Sequence, residues 1–238
     1  QGIRLSMRHV AAYLEEGYLL LRGLVPQVAM RELGRRLART YGPPFVNNGW
    51  IESDELLDFV AFGPFARVAA RLFNSSAVHL LRTVTHFRDK REVLLPQYHY
   101  DFEEVTEGFP PPHHTAQALV KFMVPLANRM PVMWFMNQSS FEKRVASIAG
   151  DVAVARLWAG KARPPEDLCC VRPGEEGTAA LPPLMREYMD QVSLKPVLDL
   201  GDALVHAATL PHRSPPSNGG GTTGWLTVTY GVPSTKSL

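Results

Sequence analysis

The residues of this chain best suited to chemistry lie in one short segment, Gln97-Tyr98-His99-Tyr100-Asp101. The segment belongs to a β-rich run, and residues two apart in a strand project to the same face. His99 and Asp101 can therefore bind one ion together. Gln97 shares their face, so it either hydrogen-bonds a bound ligand or is an ordinary strand-end glutamine. A His-x-Asp triplet alone is weak evidence, because many such pairs are structural.

A third metal ligand has to come from a distant strand. Two histidines and one carboxylate that leave coordination positions open are what non-haem Fe(II) needs to bind a cosubstrate and dioxygen. Two C-terminal histidines compete for this place: His206 lies on an apolar run, and His212 follows that run. A lone histidine in an apolar run is usually a core residue that donates to a backbone carbonyl.

The C-terminal segments Gly201-Asp202-Ala203-Leu204-Val205-His206 and Leu210-Pro211-His212-Arg213-Ser214 carry a recognisable arrangement. They resemble the phytanoyl-CoA dioxygenase-like family, in which a Gly-Asp turn leads into a strand. In that family the metal histidine follows eleven residues after the glycine, as His212 follows Gly201 here (212 − 201 = 11). Segment 13–25 is similar to the family's N-terminal helix and first strand.

This resemblance implies a fold, a metal site and a reaction. The fold is α+β, a double-stranded β-helix (a jelly-roll or cupin-like barrel) flanked by N-terminal helices. The metal ligands are His99, Asp101 and His212, and the metal is Fe(II). The reaction couples decarboxylation of 2-oxoglutarate by dioxygen to oxidation of a small molecule, and the carboxylate ligand favours hydroxylation over halogenation.

One family feature is missing from this chain. Family members carry an arginine about eleven residues beyond the metal histidine, which pairs with the distal carboxylate of 2-oxoglutarate. Thr222 and Thr223 occupy that place here. A buried carboxylate without a cation is costly, so another cation serves or the cosubstrate differs.

Lys121 is the leading substitute for that arginine. It lies mid-strand in the apolar run Ala118–Val124, where an unpaired ammonium is expensive. The alternative is that its side chain reaches solvent at the rim of the sheet. Thr222 or Thr223 adds a hydroxyl contact in this hypothesis, and Arg213, beside the metal histidine, is a weaker candidate for cosubstrate binding.

Substrate contacts are predicted from neighbouring residues. Arg88 lies in a basic stretch ahead of the metal strand, where it either contacts an anionic substrate or belongs to a solvated charged loop. Trp134 is one of several aromatic and sulfur side chains that either line an apolar pocket or form the core. Together with Gln97, these two are the predicted substrate-binding residues.

The elements that position these residues follow from local patterns, and a single oxygenase domain over residues 1–238 is expected. Residues 1–76 read as mainly helical, with Ser6 as the first N-cap and Gly17 as the first helix stop. Short β-rich runs fill 77–136 and 192–231, among them Val192–Leu200. Residues 137–190, rich in proline and glycine, read as an insert or lid.

Bulk properties exclude several classes of function. With 25 basic and 23 acidic residues the net charge is +2, so neither nucleic acid nor a membrane is an expected partner. The two cysteines, Cys169 and Cys170, are adjacent, which argues against a disulfide-stapled secreted protein and favours a cytoplasmic location. No apolar run is long enough to span a membrane.

The predicted function is a non-haem Fe(II)- and 2-oxoglutarate-dependent dioxygenase of hydroxylase type. Its substrate is a small molecule, and secondary metabolite biosynthesis is one setting for it. The missing arginine keeps open a metal-dependent oxygenase or isomerase that does not use 2-oxoglutarate. A barrel that only binds a ligand is the third reading, although mere binding does not require three metal ligands.

Overall fold

The computed structural model describes residues 5–41, 45–89, 98, 119–127, 129–131, 133–137, 139–140, 183–208, 210–215 and 222–232. Within these ranges none of the helices is long and apolar enough to cross a membrane. The elements in chain order are α1 (Met7–Glu16), β1 (Tyr18–Leu21), α2 (Gln27–Tyr41), β2 (Phe45–Asn47), a 3-10 turn (Gly49–Ile51), α3 (Asp54–Phe62), α4 (Pro64–Leu72), β3 (His79–Asp89), β4 (Leu119–Pro125), β5 (Met130–Pro131), β6 (Trp134–Phe135), α5 (Pro183–Val192), β7 (Val197–Leu198), β8 (Ala203–Ala207), β9 (His212–Arg213) and β10 (Thr222–Gly231).

Helix α1 begins and ends at the residues predicted from the sequence. The Ser6 side chain accepts a hydrogen bond from the backbone N–H of His9, and the His9 ring accepts one from the backbone N–H of Ser6. Gly17 ends the helix with φ 76°, a left-handed conformation that favours glycine. Strand β1 then starts one residue later and enters the main sheet.

A six-stranded antiparallel sheet is the centre of the fold. Its strand order is β1-β8-β4-β10-β3-β2, so strands distant in the chain lie side by side. Two smaller antiparallel pairs, β5-β7 and β6-β9, complete the described sheets. Mixed helices with an antiparallel sheet agree with the predicted α+β class.

Helices α1 to α4 cover one face of the main sheet. Phe65 of α4 packs its ring edge-to-face against Phe122 of β4 at 5.4 Å between centroids. The hydroxyl of Tyr230 on β10 donates to the backbone carbonyl of Val60 in α3. Both contacts belong to the largest core cluster of the protein, which fixes the sheet against the helices.

Helix α2 approaches the end of β4 so closely that only glycine fits between them. A Cβ built on Gly34 would lie 2.0 Å from the carbonyl oxygen of Leu126. That oxygen belongs to backbone, and the N–H of Leu126 is itself bonded to the carbonyl of Gly224. The contact therefore cannot relax by a side-chain rotation.

We expect Gly34→Ala to lower the free energy of unfolding by about 1–3 kcal/mol, because the helix must move off the sheet. Urea denaturation measures the change. Ala38→Gly, at an exposed position of the same helix, calibrates the helix propensity of about 1 kcal/mol. If propensity alone governed the site, Gly34→Ala would be more stable than the unaltered protein, which would contradict the close contact.

Helix α5 corrects the prediction of a β-rich run across Val192–Leu200. The structure continues the helix to Val192 and leaves only Val197–Leu198 as strand. Pro183 at the first helical position has the fixed φ that suits a helix start. Met189 is buried, so tertiary packing of the helix overrides the β preference of Val192.

The Gly-Asp turn recognised in the sequence leads into strand β8 and packs against the segment that follows β1. Gly201 adopts φ +89°, and a Cβ there would lie 2.2 Å from the carbonyl oxygen of Val25. The buried carboxylate of Asp202 accepts from the backbone N–H groups of Gly23 and Asp199 at 2.9 and 3.0 Å. Its ion pair with Arg22 has an N–O distance of 2.6 Å. The motif therefore anchors the start of the strand that carries His206.

The Asp202 carboxylate makes stability depend on pH. Burial alone would raise its pKa, but the bonds from Gly23, Arg22 and Asp199 outweigh burial and lower the pKa. The stabilisation is therefore present above the ordinary aspartate value of about 4 and is lost as the pH falls through the lowered pKa. We expect Asp202→Asn to cost about 2 kcal/mol at neutral pH and to flatten this acid dependence. Urea titrations from pH 7 downward measure both effects.

Asp199→Asn is the matched control for that prediction, because Asp199 is an exposed carboxylate in the same turn. We expect its variant to keep the unaltered protein's loss of stability below pH 4. An Asp202→Asn variant with an unchanged acid profile would show that its hydrogen bonds carry no pH-dependent stability.

Candidate functional site

The face of the main sheet opposite helices α1 to α4 carries a row of polar side chains on four adjacent strands. Tyr18 pairs with His206, His206 with Lys121, and Lys121 with Thr229. Residues paired directly across antiparallel strands project to the same side. His206, Lys121 and Thr229 are all buried. We call the face that carries this row the histidine face.

His206 and His212 come together between the main sheet and the β6-β9 pair. Their ring centroids are 5.5 Å apart, with the rings inclined at 61°. Phe135, the β6 partner of His212, packs against Tyr18 at 4.9 Å. His212 therefore lies over the histidine face. The two histidines that the sequence offers as alternative metal ligands border the same space.

Each of these imidazoles is oriented by a backbone carbonyl. Nδ1 of His212 donates to the carbonyl of Leu210 at 2.8 Å, and Nδ1 of His206 donates to that of Ala207 at 2.9 Å. A carbonyl only accepts, so the hydrogen of the neutral ring is on Nδ1 and the lone pair is on Nε2. This is the arrangement of a metal-binding histidine, whose other nitrogen is held by a hydrogen bond. An imidazole nitrogen held in this way is a type of donor that iron accepts, so the chemistry of each described histidine is compatible with the predicted metal.

The remaining predicted ligands, His99 and Asp101, lie outside the described residues, as does Gln97. Among the residues that the structure does describe, no group of three or more His, Cys, Asp or Glu side chains could hold a metal ion. The metal site formed by His99, Asp101 and His212 thus stays a prediction, and the structure describes only His212 of the three.

Lys121 lies in the middle of the sheet, between β8 and β10, and only 8% of it is exposed. This burial favours the cosubstrate hypothesis for Lys121 over the alternative that its side chain reaches solvent at the rim of the sheet, and both stay predictions. Its row neighbours are His206 and Thr229, which adds a hydroxyl group beside the cation. A buried ammonium beside a candidate metal site is suited to pair with a carboxylate.

Thr222 and Thr223 begin strand β10, where the structure fixes their backbone pairing. Thr222 pairs with Asp89 and Thr223 with Arg88, on the neighbouring strand β3. The backbone of Arg88, a predicted substrate-binding residue, thus lies directly opposite Thr223, at the place where the family's arginine was expected. The roles of all three residues stay predictions.

Arg213 and Trp134 lie on the other face of the β6-β9 pair from His212 and Phe135, as alternation along a strand requires. The Arg213 guanidinium lies 4.2 Å above the Trp134 ring, and Lys195 contacts the same ring at 4.2 Å. Nε of Arg213 also forms an ion pair with Asp190 at 2.8 Å. Contact of Arg213 with a cosubstrate would require this pair to open, so its predicted role and that of Trp134 stay untested.

A cluster of buried polar side chains surrounds Arg213 on this face of the β6-β9 pair, which is the face opposite His212. Tyr98 donates from its hydroxyl to Asp190 at 3.0 Å and lies 2.7 Å from the hydroxyl oxygen of Ser193. Burial raises the pKa of Tyr98 to about 12, and the charge of Asp190 adds to the rise while bonds with Ser193 and Arg213 oppose it. Tyr98 is therefore a neutral hydrogen-bond donor near neutral pH.

Sequence reasoning missed Thr229, Asp190 and Ser193. The alternation Thr227-Val228-Thr229 was a usable signal, because it indicates a strand with one polar and one apolar face. Asp190 and Ser193 left no comparable signal, since their partners lie far away in the chain.

Solved structures similar in fold to this chain include two non-haem alpha-ketoglutarate-dependent enzymes, an epimerase and a carbocyclase of nogalamycin biosynthesis. No protein-family model and no curated protein sequence matches the chain. The phytanoyl-CoA dioxygenase-like resemblance therefore stays a prediction.

Three individual structures illustrate the likeness. The alpha-ketoglutarate-dependent epimerase SnoN from nogalamycin biosynthesis has a TM-score of 0.63 at 17% identity, over 94% of this chain and 82% of SnoN. EctD from S. alaskensis has a TM-score of 0.67 at 14% identity, over 96% of this chain and 77% of EctD. HygX from Streptomyces hygroscopicus, with nickel and 2-oxoglutarate bound, has a TM-score of 0.59 at 14% identity, over 98% of this chain and 88% of HygX.

Proposed function

We propose that this protein is a non-haem Fe(II)- and 2-oxoglutarate-dependent oxygenase with a double-stranded β-helix fold that oxidises a small molecule. The observation that carries the proposal is the buried lysine Lys121, paired across the strands with His206, with His212 over the same face. A metal donor and a lysine on the same face of the sheet suit a ligand with a carboxylate at each end. Solved structures of the same fold contain iron or nickel and 2-oxoglutarate.

In this proposal His99, Asp101 and His212 hold Fe(II), and bound iron supplies the means to use dioxygen as oxidant. The Leu210 carbonyl holds Nδ1 of His212, so Nε2 would be the ligand atom. Dioxygen takes two electrons from 2-oxoglutarate, which leaves as succinate and carbon dioxide, and two from the substrate.

Lys121 binds the distal carboxylate of 2-oxoglutarate in this arrangement, and the Thr229 hydroxyl is placed to donate to the same group. Thr222 and Thr223 lie farther along β10 toward its start, where they and Arg88 border the cosubstrate or the substrate. Gln97 is the proposed contact between substrate and metal strand. A small molecule, as for the neighbours crystallised with nogalamycin RO and 5-hydroxyectoine, is the proposed substrate class.

Succinate formation tests the proposal directly. The purified chain with Fe(II), ascorbate, dioxygen and 2-oxoglutarate is expected to release succinate faster than its His212→Ala variant. A metal-binding protein that neither binds 2-oxoglutarate in a calorimetric titration nor forms succinate would support the alternative oxygenase or isomerase, which the missing arginine suggests. A chain without metal binding would reduce the fold to a ligand-binding barrel.

A further inference from the structure

The polar cluster behind the β6-β9 pair joins three separate parts of the chain. Asp190 lies near the end of α5, Arg213 lies on β9, and Tyr98 lies in the segment of the His-x-Asp motif. Ser193, just beyond α5, adds its hydroxyl to the Tyr98 hydroxyl. None of these residues has a role in the proposed reaction.

Asp190 carries the energetics of this cluster. The Arg213 side chain is only 5% exposed, so its charge requires a close anionic partner. The two oxygens of Asp190 supply it, at 2.8 Å from Nε and 2.9 Å from Nη2. The same carboxylate accepts a hydrogen bond from the Tyr98 hydroxyl. The Asp190 side chain therefore binds both Arg213 and Tyr98 to helix α5.

Each residue held by Asp190 is adjacent in sequence to a proposed metal ligand. Arg213 follows His212, and Tyr98 precedes His99. His212 and Arg213 are adjacent on strand β9 and face opposite sides of it, so the cluster supports His212 from behind without reaching the metal. A shift of the carboxylate would move Arg213 and with it His212, and a metal ligand has to lie within a few tenths of an ångström of its place.

We propose that Asp190 is a positioning residue that sets the geometry of the metal site by holding the His212 and Tyr98 segments against helix α5. This inference rests on the proposed function, because it assigns Asp190 a role only through the metal ligands. The carboxylate acts through Arg213 and Tyr98 and contacts neither metal nor cosubstrate.

Co(II) binding to the full-length apoprotein tests this role, because visible absorption of Co(II) reports its coordination as well as its occupancy. We expect Asp190→Ala to weaken Co(II) binding about 10- to 100-fold, the usual effect of losing a group that orients metal ligands. Asp190→Asn keeps the shape of the side chain but not its charge, so its Co(II) affinity is expected to lie between those of the unaltered protein and Asp190→Ala. Asp190→Glu, which keeps the charge, is expected to retain part of the affinity that Asp190→Ala loses. The absorption intensity is expected to change in Asp190→Ala.

Glu187→Gln is the matched control, because Glu187 is an exposed acid on the same helix and outside the cluster. Its affinity and spectrum are expected to equal those of the unaltered protein. A variant of Asp190 with a lower melting temperature but unaltered Co(II) affinity and spectrum would show a structural role only and overturn the proposal. If Asp190→Ala does not fold, the same criterion applied to Asp190→Asn decides.

The proposed function and this inference fail in different ways. If the unaltered chain binds Co(II) no better than its His212→Ala variant, the metal site is wrong and both proposals fall. If binding depends on His212 but not on Asp190, only the positioning role is overturned.

Discussion

His212→Ala is expected to abolish Fe(II) binding while the fold remains intact. The loss of a group that merely orients a ligand weakens metal affinity about 10- to 100-fold, so the loss of a ligand should exceed about 100-fold. The side chain is buried at a two-residue strand, and its removal leaves the main sheet and its helix-covered core unchanged. Anaerobic titration with Fe(II), together with circular dichroism of the apoprotein, measures both parts of this prediction.

His206→Ala is the informative comparison, because His206 contacts the same space with its own ring held by a carbonyl. As a packing neighbour of His212 it should alter metal affinity by no more than about 10-fold. Full iron occupancy in His212→Ala with loss of binding in His206→Ala would show that the metal ligand is His206 on strand β8. The two variants therefore separate alternatives that sequence spacing alone left open.

Local sequence patterns predicted the elements of the fold better than their partners. Ser6 and Gly17 bounded the first helix correctly, because capping depends on residues within one turn. Strand β2 was missed, because three residues give too short a pattern to recognise. The pairing of Tyr18 with His206 joins both ends of the chain, and no local rule specifies such a register.

The candidate site shows the same difference between local features, which the sequence predicted, and long-range pairings, which it did not. A lysine in an apolar run was recognisable as exceptional from composition alone, and the structure confirms that it is buried. That Lys121 lies between His206 and Thr229 depends on two long-range strand pairings, which the sequence does not reveal. Asp190 was unpredictable for the same reason, since its two partners come from separate parts of the chain.

In the proposed function, these pairings allow a cation on a neighbouring strand to replace the expected arginine. The arginine position at the start of β10 and Lys121 on β4 belong to neighbouring strands of one sheet. A cation contributed from the adjacent strand can enter the same space from a different backbone position. The proposal that Lys121 takes the place of the expected arginine can be tested by a single substitution.

Lys121→Ala is expected to raise the dissociation constant of 2-oxoglutarate at least about 30-fold. Truncating one partner of a buried charge pair costs about 2–5 kcal/mol, because the other charge is left without a counterion. Metal affinity should stay unchanged, since Lys121 is not a ligand. Calorimetric titration of the metal-loaded protein with 2-oxoglutarate under anaerobic conditions measures the first quantity, and Fe(II) titration the second.

Lys121→Met and Arg88→Ala supply the controls for this prediction. Lys121→Met keeps the length of the side chain without its charge, so a loss of affinity equal to that of Lys121→Ala would assign the effect to charge rather than to a cavity. Arg88→Ala tests the cation whose backbone pairs with Thr223, and it should change the constant much less. An unchanged dissociation constant in both Lys121 variants would remove this residue as the anchor. A loss confined to Arg88→Ala would instead move the carboxylate to the start of β10, closer to where the arginine was first expected.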